Sequence, residues 1–219
     1  MLASTLIQKD YPVINLTDKV ALVLQWMEDY EVQHLPVQSE EKYVGLVSKD
    51  DLLDTDEEST IAVLQHLFIQ QAVKPDTFFM LAVQQLLQEQ LSLVVVVNDQ
   101  YGIEGVLTAG QLLKQLATFT GVEEPGGFII LELDKRNYSF GEISRLVETN
   151  DAYITQLNTY TEPETGLVLV TVKINKKEIS DILSTFQRYD YVVRYYVGEE
   201  QYTNELKENY NLLMTYLNM

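Results

Sequence analysis

A phrase of nine residues in this chain returns sixty positions later. Gly-Leu-Val-Ser-Lys-Asp-Asp-Leu-Leu at 45–53 becomes Gly-Val-Leu-Thr-Ala-Gly-Gln-Leu-Leu at 105–113. The same offset aligns Thr17 with Thr77, Val20 with Met80, Val23 with Val83, Met27 with Leu87, and His34–Val37 with Val94–Val97. A repeat of this period is a supersecondary unit too small to enclose a core alone, whereas two copies packed together enclose one. The repeat therefore constrains the fold more than any single motif does.

Each copy carries the same element pattern. Val20, Val23, Leu24, Met27 and Tyr30 form an apolar stripe at helical period, and Val83, Leu86 and Leu87 follow the same rhythm in the second copy. A short apolar strand follows; the run Leu93–Val97 is too brief and too β-branched for a helix and reads as a buried strand. After it come a turn (Ser39–Lys42; Asn98–Gly102), a second strand and a closing helix. The acid-rich stretch Asp54–Ile61 joins the copies. It lacks the alternating ligands and sharp-turn glycine of a calcium loop, which makes it a solvated connection or a helix start.

A second boundary falls at Thr120–Phe128, rich in glycine and acid. Beyond it the order is strand, helix, two strands joined by the turn Thr161–Gly166, helix, strand. That βαββαβ order predicts an antiparallel sheet covered by two helices. Helix faces are set by Ile143, Leu146 and Val147, then by Ile179, Ile182, Leu183 and Phe186. Tyr202, Leu206, Tyr210, Leu213 and Leu217 finally form one stripe, predicting an amphipathic helix that packs on the sheet or on a second subunit. The expected division is repeat 1 at 1–60, repeat 2 at 61–120, a linker at 121–127, the βαββαβ segment at 128–200 and the final helix at 201–219. The fold class is α+β.

Charge narrows the partners. The net charge is −18, and no arginine occurs before Arg136. Nucleic acid and anionic membranes require a concentrated basic surface, so both are excluded as expected partners. With no cysteine there is neither a disulfide nor a thiol nucleophile. No apolar run has the length to span a bilayer, and the first residues lack a basic start and a long apolar stretch, so a cytoplasmic protein is expected. No nucleophile–base pair, metal cluster or glycine-rich phosphate loop is visible, which predicts a non-catalytic protein without a metal.

These residues resemble two known families. The His-Leu-Pro-Val strand, the strand Tyr43–Ser48 and the repeated Gly45 and Gly105 phrases look like a tandem pair of CBS (cystathionine-β-synthase) domains, each a βαββα repeat, over residues 1–120. The segment at 127–199 resembles an ACT-type, ferredoxin-like regulatory domain by its element order and by Gly141 early in its first helix. It departs from that family where Asp134–Ile143 is longer than the usual Asp-x-Pro-Gly turn and lacks its proline. The combination is similar to acetoin-utilisation CBS–ACT proteins.

The resemblance implies an adenosine-type ligand such as AMP, ADP or ATP between the repeats. Asp51 would accept hydrogen bonds from the ribose hydroxyls, Ser48 would meet phosphate beside Lys49, and Leu35, Pro36 and Val37 would line the base pocket. Thr108 is the corresponding hydroxyl of the second copy. Gly141 marks the analogous small-metabolite site of the ACT-like segment, and a homodimer is implied. The chemistry is sound, because an ionised carboxylate accepts from both hydroxyls of a diol and a helix start offers free N–H groups to an anion.

A plainer account competes. Ser-x-x-Asp and Thr-x-x-Gln are also helix-capping signatures, and Gln111 suits that role fully. For Asp51 both readings stand. Residues 1–120 hold six lysines, no arginine and 17 acids, so a triphosphate would need screening by Mg²⁺, Lys49 or Lys42, and AMP or adenosine fits better. His34 and His66, without paired acids at ligand spacing, read as packing or surface residues. Trp26 and the tyrosines at 189, 191, 195 and 196 read as packing or interface residues. A regulatory module sensing an adenine-containing ligand is the leading expectation; a ligand-free dimerisation scaffold or an accessory protein of acetoin or acyl metabolism is the alternative.

Overall fold

The computed structural model describes residues 1–199 and divides into two compact units, Met1–Leu116 and Ala117–Met219. The helix expected at 201–219 lies outside the described residues.

In the first unit, copy 1 contains β1 (Ile14–Asn15), α1 (Val20–Asp29), β2 (His34–Ser39), β3 (Lys42–Ser48) and α2 (Lys49–Leu53). Copy 2 contains α3 (Phe79–Gln88), β4 (Leu93–Val97) and β5 (Ile103–Thr108), and α4 (Ala109–Phe119) follows. Its counterpart of β1 shrinks to a single parallel bridge between Val73 and Val96. Pro75, two residues on, has no N–H with which to extend a ladder. The strands β1-β2-β3 form one sheet and β4-β5 a second, with antiparallel hairpins in matching register: Val37 opposes Gly45 and Val96 opposes Gly105.

The two copies share cores through β4, which is buried along its whole length. Leu93, Val95 and Val97 point into a cluster with Val23, Met27, Leu35 and Val37, while Val94 and Val96 point into one with Phe79, Ala82, Leu107 and Leu112. This period-2 division explains why a strand that is apolar on both faces shows no alternation in sequence.

The segments that lead into each copy are exchanged. Ile61, Leu64 and Phe68 fill the first cluster beside copy 1, and Ala3 and Leu6 fill the other beside copy 2. Hydrogen bonds follow the same plan. Val20 and Ala21 donate to Ser59 and Glu57 carbonyls, whereas Ala3 and Ser4 donate to Thr77 and Pro75 carbonyls. Leu46 exchanges backbone hydrogen bonds with Ile69, and Val106 exchanges them with Gln8. The repeated glycines belong to these crossings. A Cβ on Gly45 would lie 2.6 Å from Phe68 Cβ, and one on Gly105 would lie 2.4 Å from the Gln8 carbonyl oxygen. With φ of +151° and +145°, both positions suit glycine twice over. The Tyr43 hydroxyl fixes the first crossing by donating toward the Ile69 and Gln71 carbonyls, at 3.2 and 2.7 Å.

The second unit contains β6 (Gly127–Leu133), α5 (Phe140–Glu148), β7 (Ile154–Thr161), β8 (Val168–Ile174), α6 (Ser180–Arg188) and β9 (Val192–Val197). Its sheet order is β7-β8-β6-β9, with every pairing antiparallel. Alternation along β6 buries Ile129, Leu131 and Leu133 with Val170, Val172 and Ile174 of β8. Against this face pack Ile143, Leu146 and Val147 of α5 and Ile182, Leu183 and Phe186 of α6, the stripes that helical spacing predicts. Burial of each such side chain contributes roughly 1.5–3 kcal/mol.

One residue breaks the alternation. Lys173 lies on the outer face of β8, opposite Phe128 and Gln156, yet it is buried. Its ammonium donates to the Gly121 and Glu124 carbonyls and sits 5.3 Å from the centre of the Phe128 ring. Carbonyl oxygens supply the partners that a buried ammonium requires. They come from the residues leading into β6, so Lys173 holds that lead-in on the sheet.

Candidate functional site

Both repeated phrases start helices, and their hydroxyls cap them. Ser48 Oγ accepts from the Asp51 N–H at 3.1 Å, and Thr108 Oγ1 accepts from the Gln111 N–H at 3.3 Å. The first N–H of each helix is also bound: Lys49 donates to the Gln33 carbonyl and Ala109 to the Ser92 carbonyl. These bonds satisfy groups that a helix otherwise leaves open. They leave fewer free donors for an anion than the sequence pattern suggests, and α2 is only five residues long.

The acid and the amide behave differently. Asp51 Oδ2 accepts from the Ser48 hydroxyl at 2.6 Å, which closes a reciprocal pair within the cap. Gln111 makes no such return bond; its Oε1 is buried without a hydrogen-bond partner. An unmet buried acceptor costs about 1–3 kcal/mol, so the second copy holds an unused acceptor where the first holds a satisfied carboxylate.

Around them, Leu35 and Val37 are fully buried in the first core and Pro36 is also buried, so these side chains serve packing. Lys49 reaches Glu28 at 3.6 Å, and Lys42 is exposed on the far end of β3. His66 is exposed and Trp26 packs partly buried against the first core.

His34 holds a position the sequence reading understated. It opposes Ser48 across the β2–β3 pair and is 8% exposed. The Ser92 N–H donates to its Nδ1 at 3.2 Å, and the Ser92 hydroxyl accepts from the His34 and Gln33 N–H groups at 3.1 Å. These bonds join the entry of β2 to the entry of β4. Donation to Nδ1 fixes a neutral imidazole carrying its proton on Nε2. Burial lowers the His34 pKa from its ordinary 6.5, while the Asp50 and Asp51 charges act in the opposite direction. Ser92 aligns with Val32 in the repeat, and that mismatch is the only sequence signal for the junction.

Two cavities of the first unit lie elsewhere. One of about 550 Å³ is lined by Lys9, Tyr11, Val13 and Ile103–Val106, and one of about 330 Å³ by Tyr43, Val44, Gln65, Gln70 and Tyr101. Neither is lined by Ser48, Lys49, Asp51, Thr108 or Gln111. In the second unit, Gly141 lies exposed in the first turn of α5, with open space where a Cβ would stand. Its neighbour Glu142 accepts from the Tyr191 hydroxyl at 3.1 Å and lines a cavity of about 530 Å³ with Glu132, Asp134, Asn137 and Tyr189. Among the described residues no cluster of metal-ligating side chains occurs, and no helix is long and apolar enough to cross a membrane.

The CBS domain family model matches residues 3–58. Among solved structures, the chain is similar to a CBS domain pair/ACT domain protein from Thermotoga maritima, at 21% identity over 54% of this chain and 98% of that one, with a TM-score of 0.49. It is similar to the CBS domains of a transcriptional regulator from Streptococcus pneumoniae at 21% identity, covering 52% of this chain and 98% of that one, TM-score 0.47. A CBS domain pair in complex with 5′-methylthioadenosine and S-adenosyl-L-methionine matches at 16% identity over 54% and 98% of the respective chains, TM-score 0.46.

Proposed function

We propose that residues 1–120 form a tandem CBS pair that binds an adenine-containing ligand and that the protein is a non-catalytic regulator. The observation that carries this reading is the CBS match at 3–58 joined to its sixty-residue internal repeat, with helix starts in register at Ser48 and Thr108. Ser48, Lys49 and Asp51 are the proposed contacts of one copy. Thr108 belongs to those of the other, where the unmet Gln111 oxygen would accept from a ligand hydroxyl or amino group. The excess of acid favours AMP or adenosine over ATP. The βαββαβ segment is the proposed ACT-like domain, taking a small metabolite at the cavity beside Gly141 and Glu142, and the chain acts as a homodimer similar to acetoin-utilisation CBS–ACT proteins. Regulation then follows from linkage, since a ligand preferring one arrangement shifts the population toward it.

A second reading, a ligand-free association scaffold, is favoured by the reciprocal Ser48–Asp51 pair, whose polar groups satisfy each other. Titration calorimetry with AMP, ADP and ATP separates the two. Binding of any one that weakens at least tenfold in Asp51→Ala or Gln111→Leu supports the sensor. Silence from all three supports the scaffold.

A further inference from the structure

The two crossings of the first unit carry matching cavities that differ in charge. In each hairpin one residue is extra to the pairing. Val44 falls between the pairs Gln38↔Tyr43 and Val37↔Gly45, and Glu104 between Val97↔Ile103 and Val96↔Gly105. A bulge of this kind re-aims the side chain it adds. Val44 lines the cavity of about 330 Å³, whose other lining residues, Tyr43, Gln65, Gln70 and Tyr101, are also uncharged. Glu104 lines the cavity of about 550 Å³ together with Lys9, and the sixty-residue offset places Ile69 where Lys9 would be. Crossing and bulge thus form in copy 1 without either charge, so the fold does not require Lys9 and Glu104 at the second crossing.

Among the described residues, neither of these two side chains makes an ion pair or a hydrogen bond, with each other or with a third group. Glu104 is partly buried, and a carboxylate drawn from water without a partner costs stability. Beside the two charges stand Tyr11, Val13 and Ile103, all partly buried. Tyr11 and Ile103 pack against the first core, and the Tyr11 ring lies 5.3 Å from that of Tyr30, so this wall is set in advance. A cation, an anion and an apolar wall in one cavity match a free α-amino acid. Its carboxylate meets Lys9, its ammonium meets Glu104 and its side chain lies on the wall, with charge-assisted bonds at both ends. A polyphosphate would be repelled by Glu104, and a residue inside a peptide carries neither terminal charge. The volume falls within the roughly 300–1,000 Å³ of small-molecule sites. We propose that the cavity between Lys9–Val13 and the bulge of β5 binds a free α-amino acid with an apolar side chain, at a site separate from Ser48–Asp51 and from Gly141.

Titration calorimetry of the full-length chain with L-leucine and L-phenylalanine tests this. At least one should bind, and its N-acetyl and decarboxylated analogues, each lacking one charge, should bind at least about tenfold more weakly. Glu104→Gln should weaken binding about tenfold and Lys9→Met, at an exposed position, at least about threefold. Asp10→Asn, an exposed acid outside the cavity lining, should leave binding unchanged. Silence from both amino acids overturns the proposal. So does equal binding of either analogue, or binding that neither Lys9→Met nor Glu104→Gln weakens, since the ligand then sits elsewhere. Methyl NMR of the unsubstituted chain gives a readout that does not depend on the variants folding. The bound amino acid should shift the Val13 and Ile103 methyl resonances and leave Ile143, beside Gly141, in place; shifts at Ile143 without shifts at Val13 and Ile103 would place the ligand in the second unit and refute the site.

Discussion

Gly105 lies under the backbone carbonyl of Gln8, so close that a Cβ at residue 105 would stand 2.4 Å from that oxygen. The contact joins the second copy to the lead-in of the first, and Gly45 meets Phe68 in the reverse sense. Gly105→Ala must therefore displace backbone and also hold alanine at a φ of +145°. The expected cost is about 3 kcal/mol or more, read as a lower urea midpoint with unchanged slope.

Gln111→Leu removes a buried oxygen that accepts nothing and keeps the Thr108 cap, whose bond is to the Gln111 backbone. Stability should be unchanged or rise by up to about 1 kcal/mol, because the leucine carries no unmet acceptor. Asp51→Leu breaks the reciprocal bond with Ser48 and should cost about 1 kcal/mol. Thermal melts of the two variants check this opposite pair of signs.

His34 makes stability depend on pH. Its folded-state pKa lies below the ordinary 6.5, so the unfolded chain takes up the proton first. The stabilisation is complete above that value and is lost as pH falls through the histidine range toward the folded pKa. His34→Asn, whose side-chain oxygen can still accept from the Ser92 N–H, removes this titration. Urea unfolding of both proteins between neutral and mildly acidic pH should show the wild type losing more stability than the variant.

Lys173→Met keeps an unbranched apolar side chain but withdraws the donor from the Gly121 and Glu124 carbonyls. A loss of about 2 kcal/mol is expected. Hydrogen exchange at residues 121–127 should accelerate, while amides in the centre of β8 should follow only the global change.

Residues with local causes were legible in the sequence. The α5 and α6 stripes and the β6 alternation each express one period against one core. The capping hydroxyls at Ser48 and Thr108 act across three residues, which is why motif reading finds them. What stayed hidden acts over long separations. Nothing near Phe68 or Ala3 indicates that each packs into the other copy's core, and Lys173 reads as an ordinary outward lysine because its partners lie about fifty residues away. The Ser48–Asp51 and Thr108–Gln111 phrases look alike, and only side-chain geometry separates a closed pair from an oxygen with no donor.

The crossed lead-ins also decide what can be divided. A fragment ending at residue 60 would carry the socket at Gly45 without Phe68 to fill it, and the plug at Ala3–Gln8 without its seat. Two such fragments could satisfy one another only by meeting in solution, at a rate set by their concentration. Tethering both halves in one chain replaces that encounter with a high effective concentration. The smallest self-sufficient piece of the first unit is therefore the interlocked pair, and a mutation at either crossing is felt by both copies.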